Sequence, residues 1–361
     1  MASSLPALLQ NAVDSGDVKR TRTVALEALR SRQVFAGSET PLLNTFFKFI
    51  SGSVQAPQLV SACAKSFQSD EQLEAPWAGP VLALLQIACK KAPHSEAQMV
   101  LDALRTEYAW LRREARAAQG LYPAVFTVLL EIIKRCLKDK QPMAVDPLLQ
   151  TALPVDDLAV SLVGKRVCAA LEFYWARHLL FCEKLEEAAR KFQQAIEFCP
   201  DPKRRAQILR FLIPLRLATG SLPRRSVVAS SGLEREWGPV VCSVKRGDIF
   251  AVREAARIFA EDFRTQEVAL LFGHLELVAC RFLFSKIAGV VGKKIPIAVL
   301  MAGLTFAAKE NVCEAEALDL CANLISREML SGYLSFEEGV LVLSAGQPFP
   351  SPLWKLDYSF I

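Results

Sequence analysis

Three histidines, ten cysteines and a few paired acids are the side chains of this sequence most able to carry chemistry, and their spacing decides whether they do. His94, His178 and His274 stand far apart. His178 and Cys182 are one helical turn apart and could share a metal ion, but no Cys-x-x-Cys and no second close pair completes a set of ligands. A packed histidine is expected, with no metal and no other cofactor. Gly289-Val-Val-Gly292-Lys293-Lys294 has the residue types of a phosphate loop in the wrong arrangement. Its glycines are too close together, and no Ser or Thr follows the lysine. It reads as a basic loop between two helices. No nucleophile elbow and no dinucleotide fingerprint occurs. Glu186-Glu187 and Glu337-Glu338 read as solvated acids. The expectation is a protein that binds and does not catalyse.

The basic residues are the better functional signal. Residues 161–300 hold 23 Lys and Arg against 14 Asp and Glu, so the net +5 of the chain divides into +9 there and −4 elsewhere. A basic middle suits a polyanion or an acidic protein partner. Lys203, Arg204 and Arg205 open a helix, where cations oppose the helix dipole, so something besides local helix stability favours them. Arg224 and Arg225 follow a Ser-Leu-Pro turn. Arg281, Lys286, Lys293 and Lys294 surround a helix and the loop after it, and Arg327 closes a later helix.

The elements that position these groups read as helices. Of the 361 residues, 52% are hydrophobic and 22% charged, which suits a folded chain long enough to bury a core. Leu, Ala, Arg, Glu and Lys dominate, and β-branched runs are short, so the fold class is all-α. Apolar residues at three- and four-residue spacing predict helices over 18–30, 42–50, 57–67, 78–91, 95–118 and 122–138, with Asp17 and Ser95 as caps. Further helices are predicted over 156–179, 183–198, 202–219, 232–245 and 249–260. Asp201 and Pro202 start one of these helices, and Gly220 ends it. Ala188, Phe192, Ala195 and Pro200 stand at the offsets of a tetratricopeptide-like hairpin, in which small residues let two helices approach and an aromatic fills the gap. Pro214 should kink its helix.

From about His274 the pattern changes. Helices over 275–287, 296–308 and 314–330 precede two strand-like runs, 332–336 and 340–344, joined by a Glu-Glu-Gly turn. Three helices and a small hairpin make a winged helix-turn-helix. The expected organisation is helical repeats over 1–155, a tetratricopeptide-like part over 156–272, a winged helix over 273–346, and a proline-interrupted aromatic tail over 347–361. Acidic Glu314, Glu316 and Asp319 open the third helix and argue against base reading by it. The first twenty residues offer no basic segment followed by an apolar core, and no apolar run is long enough to span a bilayer. A soluble intracellular protein with reduced, buried cysteines is expected.

Helical repeats capped by a winged helix form the architecture of the PCI-domain family, and particular segments strengthen the resemblance. Arg210–Pro223, Lys245-Arg246-Gly247-Asp248, Arg281–Ile287, Ala322–Ile325, Gly332–Ser335, Val340–Ser344 and Gln347–Pro350 resemble the PCI subunit of the TREX-2 mRNA-export complex in order and spacing. That resemblance covers roughly residues 160–350. It implies a scaffold subunit acting in the nucleus, with or without the cytoplasm, and independent of membranes. Its implied partners are a larger PCI-containing export scaffold, a small acidic disordered subunit shared with the proteasome lid, and RNA or DNA bound without sequence specificity. Nucleic acid is assigned to Arg281, Lys286, Lys293, Lys294, Arg327, Arg224 and Arg225. Protein partners are assigned to Lys203, Arg204, Arg205, Tyr333 and Leu341. The alternative is a purely structural PCI subunit of a signalosome or proteasome-lid-like complex.

Overall fold

The computed structural model describes residues 94–350 apart from 116–118, 140 and 266–267, together with single helical positions at 12, 21, 23–25, 58–59, 62, 84–86 and 89. The chain divides into two compact units, Met1–Cys182 and Glu183–Ile361. Most of the helices expected before residue 94, and the Asp17 cap, lie outside the described residues.

In the first unit a 3-10 turn, His94–Glu96, leads into α1, Ala97–Glu114. Ser95 does not cap α1, because it is itself part of that turn and Glu96 occupies the cap position. Helix α2 spans Tyr122–Lys138, matching the periodicity to the residue. It is followed by α3, Asp146–Gln150, α4, Asp157–Val163, and α5, Lys165–Phe181. The single helix expected over 156–179 is two, because Gly164 takes φ +90° between them. Asp156 caps α4 by accepting from the Ala159 N–H at 2.8 Å. Both α1 and α5 pack on α2, and Leu104, Val128, Ile132, Cys136 and Leu171 are wholly buried there.

The second unit opens with the hairpin of α6, Leu185–Phe198, and α7, Pro202–Ala218. Ala188, Phe192 and Ala195 are wholly buried, and Phe192 stacks on Phe211 with ring centroids 5.4 Å apart. Asp201 accepts from the Lys203 N–H at 3.0 Å and so caps α7. Helix α7 runs unbroken through Pro214. Gly220 follows it with φ +88°. Then come α8, Arg225–Ser230, α9, Glu234–Arg246, α10, Ile249–Ile258, and α11, Ala260–Thr265. Of these, α8 and α11 were not predicted. Between α9 and α10, Gly247 has φ +71°, and any Cβ there would stand 2.9 Å from the Leu283 backbone. Asp248 accepts from the Ala251 N–H at 2.9 Å and caps α10.

The winged helix follows as α12, Phe272–Val291, β1, Lys294–Pro296, α13, Ile297–Ala308, α14, Glu314–Ser326, β2, Gly332–Ser335, and β3, Val340–Leu343. The wing is a three-stranded antiparallel sheet in the order β1-β3-β2 rather than a two-stranded hairpin. Its extra strand comes from Lys294 and Ile295, read as loop, and Pro296, read as the start of a helix. Helix α14 stops at Ser326, short of the expected residue 330, and Glu328 turns the chain with φ +57°. Gly332 does not serve that turn. It is the first residue of β2, where a Cβ would collide with the Val342 carbonyl.

Among the described residues no helix is long and apolar enough to cross a membrane. Cys89, Cys136, Cys168, Cys280 and Cys321 are buried free thiols, and burial pushes Cys280 and Cys321 up to about 12.

Candidate nucleic-acid and partner interface

Strand register builds the exposed face of the wing. Lys294 pairs with Val342 and Tyr333 pairs with the same Val342, so the three side chains form one row across the sheet. The next row, Ile295, Leu341 and Leu334, points the other way. Ile295 and Leu341 are wholly buried against the helices, whereas Lys294 and Tyr333 are exposed, Tyr333 at 62%. Leu341 is therefore a core residue of the central strand and is not available to a partner. A one-residue shift in strand reading separates the two outcomes, and β3 alternates inward at 341 and 343.

Arg281 departs further from its expected role. It is 8% exposed on α12, and its guanidinium donates to three carbonyls. Nε reaches Met329 at 3.0 Å, and Nη2 reaches Phe349 at 3.3 Å and Pro350 at 2.8 Å. It clasps the chain after α14 to the start of the tail, so most of its donor capacity is spent on backbone carbonyls. Lys286 and Lys293 remain exposed while each donates once, Lys286 to the Arg246 carbonyl at 3.0 Å and Lys293 to that of Ala345 at 2.7 Å. An ammonium has three donors, so both can still meet an anion.

Arg327 donates to His274 Nδ1 at 2.8 Å. Burial, and then the Arg327 charge, hold His274 below its ordinary range, so it stays neutral and accepts. Both line a cavity of about 600 Å³ together with Glu183, Glu186 and Glu328, whose carboxylates offset the arginine. Arg224 and Arg225 line a second groove of about 640 Å³ between α8 and α9, with Lys245 and an apolar wall that includes Leu222 and Pro239. Arg225 pairs with Glu234 at 3.2 Å. Lys203 and Arg204 are exposed on the first turn of α7, and Arg204 lies 3.7 Å from Asp201. Arg205 is half-buried. Glu314, Glu316 and Asp319 are exposed along α14 as expected, and Asn323 donates back to Asp319 at 3.1 Å.

Comparison with known proteins covers half of the chain. A PCI domain-containing protein 2 homolog of Caenorhabditis briggsae is 30% identical over 185 residues, which are 50% of this chain and 45% of that protein. Over that half the chain is similar to several proteins named for the PCI domain, PCI domain-containing protein 2 of Xenopus laevis among them at 24% identity. Enhanced ethylene response protein 5 of Arabidopsis thaliana is 28% identical over 191 residues, 49% of this chain and 45% of that protein. A Protein CSN12 homolog of Gibberella zeae is 26% identical over 200 residues, 50% of this chain and 43% of that protein. The chain thus spans about half the length of the curated relatives it matches. No family model matches it. The all-α PCI-type fold with a small β wing agrees with these relatives.

Sequence reasoning missed β1 as a structural element and Asp146 as a chemical one. Asp146 Oδ1 lies 2.7 Å from His178 Nε2, across 32 residues of chain, and joins the His178–Cys182 pair weighed from spacing alone. Aspartate in a Val-Asp-Pro turn carries no signal that would have linked it to a helix so far along the sequence.

Proposed function

We propose that this chain is a non-catalytic PCI scaffold subunit of a TREX-2-like assembly in nuclear mRNA export. It binds a larger scaffold subunit, a small acidic subunit, and RNA or DNA through its winged helix. The observation that carries the nucleic-acid part is the outward row of Tyr333, Val342 and Lys294, with Lys293 beside it at the sheet edge. An exposed aromatic offers a face on which a base can stack, and the flanking ammonium groups meet the backbone. The acidic α14 leaves the sheet, and not the third helix, as the surface that a phosphate chain tolerates. Arg224, Arg225 and Lys245 around the α8–α9 groove suit an acidic peptide segment.

A second reading, a structural subunit of a signalosome or lid-like complex, is favoured by the carboxylates of α14 and is compatible with the CSN12 homolog match. Binding of single-stranded RNA separates the two. Tyr333→Ala should weaken it about 10-fold, in line with the loss of one base stack. Lys293→Glu with Lys294→Glu should weaken it further at low salt. If neither variant changes affinity, the sheet is not the platform. Affinity purification from cells then decides the assembly: export-scaffold peptides support the first reading, and lid or signalosome subunits the second.

A further inference from the structure

The first unit carries a cluster of a different chemistry. Asp146 opens α3 after the 3-10 turn Pro142–Val145, which packs on α2 and α5. His178 lies in the last turn of α5, and Cys182 caps that helix. One donor atom from each of the three lies within 4.8 Å of the others. His178 is wholly buried. Its Nε2 stands 2.7 Å from Asp146 Oδ1 and 3.7 Å from Cys182 Sγ, while Nδ1 is buried with no hydrogen-bond partner.

We propose that Asp146, His178 and Cys182 form a zinc site. Carboxylate and thiol converge on the same ring nitrogen, and the single proton that nitrogen can carry serves only one of them. A catalytic Cys-His-Asp arrangement is excluded by the same fact, because there the carboxylate must hold the opposite nitrogen. A cation placed among the three receives a lone pair from each.

Carboxylate oxygen, imidazole nitrogen and thiolate sulfur together match Zn²⁺, whereas Mg²⁺ and Ca²⁺ require oxygen donors. At zinc–ligand distances of about 2.0–2.3 Å, the nitrogen and oxygen need to separate by only about 0.6 Å. The Asp146 side chain is 33% exposed and Cys182 is half-buried, so a fourth position opens to water, as in three-ligand zinc sites. Binding transfers the Cys182 thiol proton to solvent and leaves the one imidazole proton on Nδ1. Affinity therefore rises with pH. The metal would tie α3 to the end of α5.

Cobalt titration of the whole chain, stripped with chelator, tests the site. One equivalent of Co²⁺ should produce a thiolate-to-cobalt charge-transfer absorption that Zn²⁺ bleaches. Cys182→Ser should abolish that band and Asp146→Asn should weaken its binding. Both positions are solvent-accessible, and circular dichroism verifies that the variants fold. His178 is left intact because its replacement opens the core. Zn²⁺, and not Mg²⁺, should raise the unfolding temperature of the wild type more than that of either variant. The absence of a band, a band of equal strength in Cys182→Ser, or equal zinc-induced shifts in all three proteins would overturn the proposal.

Discussion

At the scale of single residues, burial decides what a charge can do. Arg281 sits in a sequence context that reads as a surface cation, yet its fork holds three carbonyls on two segments. Lysine keeps the charge but cannot reproduce a planar fork. Arg281→Lys is expected to cost about 2 kcal/mol of stability by denaturant unfolding. Below the transition its RNA affinity should match the wild type. An intact stability with weakened RNA binding would instead return Arg281 to the interface. Glu107 on α1 shows the same principle with the opposite charge. It is 5% exposed, its Oε1 has no hydrogen-bond partner, and burial raises its pKa from 4.5 to about 7. Between those values the folded state holds a proton that the unfolded state has shed, so stability falls as pH rises from 4.5 to 7 and the loss is complete above 7. Glu107→Gln should flatten that slope and stabilise the protein at pH 8 by about 2 kcal/mol once residual solvent screening is allowed for. Parallel pH series of unfolding midpoints for the two proteins provide the check.

At the scale of elements, two glycines joined to one helix should respond in opposite directions to the same change. Gly247 holds φ +71° at the α9–α10 junction, and an added Cβ would press on the Leu283 backbone of α12 at 2.9 Å. Gly289 lies within α12 itself, with open space where its Cβ would go. Gly247→Ala should destabilise by about 2 kcal/mol or more, and Gly289→Ala should stabilise by up to about 1 kcal/mol. Equal effects in unfolding titrations would mean that the junction is not tightly packed. These junctions also show what the sequence made legible. Helix α2 was readable to the residue because its apolar face is continuous, and the α7 and α10 starts were readable because Asp201 and Asp248 act through neighbouring backbone. Gly164 was not readable as a break, since a glycine inside a helical pattern is often tolerated. Strand β1 is three residues long and exists only because β3, more than forty residues later, offers it a partner. Leu341 was assigned to the wrong face and Asp146 was missed for a related reason: each is defined by a neighbour that local pattern does not contain.

For the whole molecule, net charge and the proposed binding surface do not coincide. Residues 183–271 hold 16 Lys and Arg against 12 Asp and Glu, a balance of +4, whereas residues 272–350 hold 6 against 8, a balance of −2. The winged helix is therefore acidic overall, with three of its six cations at Lys286, Lys293 and Lys294. Non-specific binding depends on how many phosphates are neutralised, and for single strands the logarithm of affinity falls with the logarithm of salt by about 0.7 per contact. Three lysines give an expected slope of about −2. Such a slope means modest affinity that a second subunit's surface must supplement, which fits a scaffold better than an autonomous RNA-binding protein. If the α7 and α8 arginines join the path, the slope should steepen toward about −4 or beyond, and charge reversal at Lys203 and Arg204 should bring it back. Titrating RNA affinity against potassium chloride for the wild type, the Lys293→Glu, Lys294→Glu pair and the Lys203→Glu, Arg204→Glu pair distinguishes these cases. A slope near −2 that only the first pair reduces places the nucleic acid on the wing sheet. A slope unaffected by that pair removes it from the wing sheet.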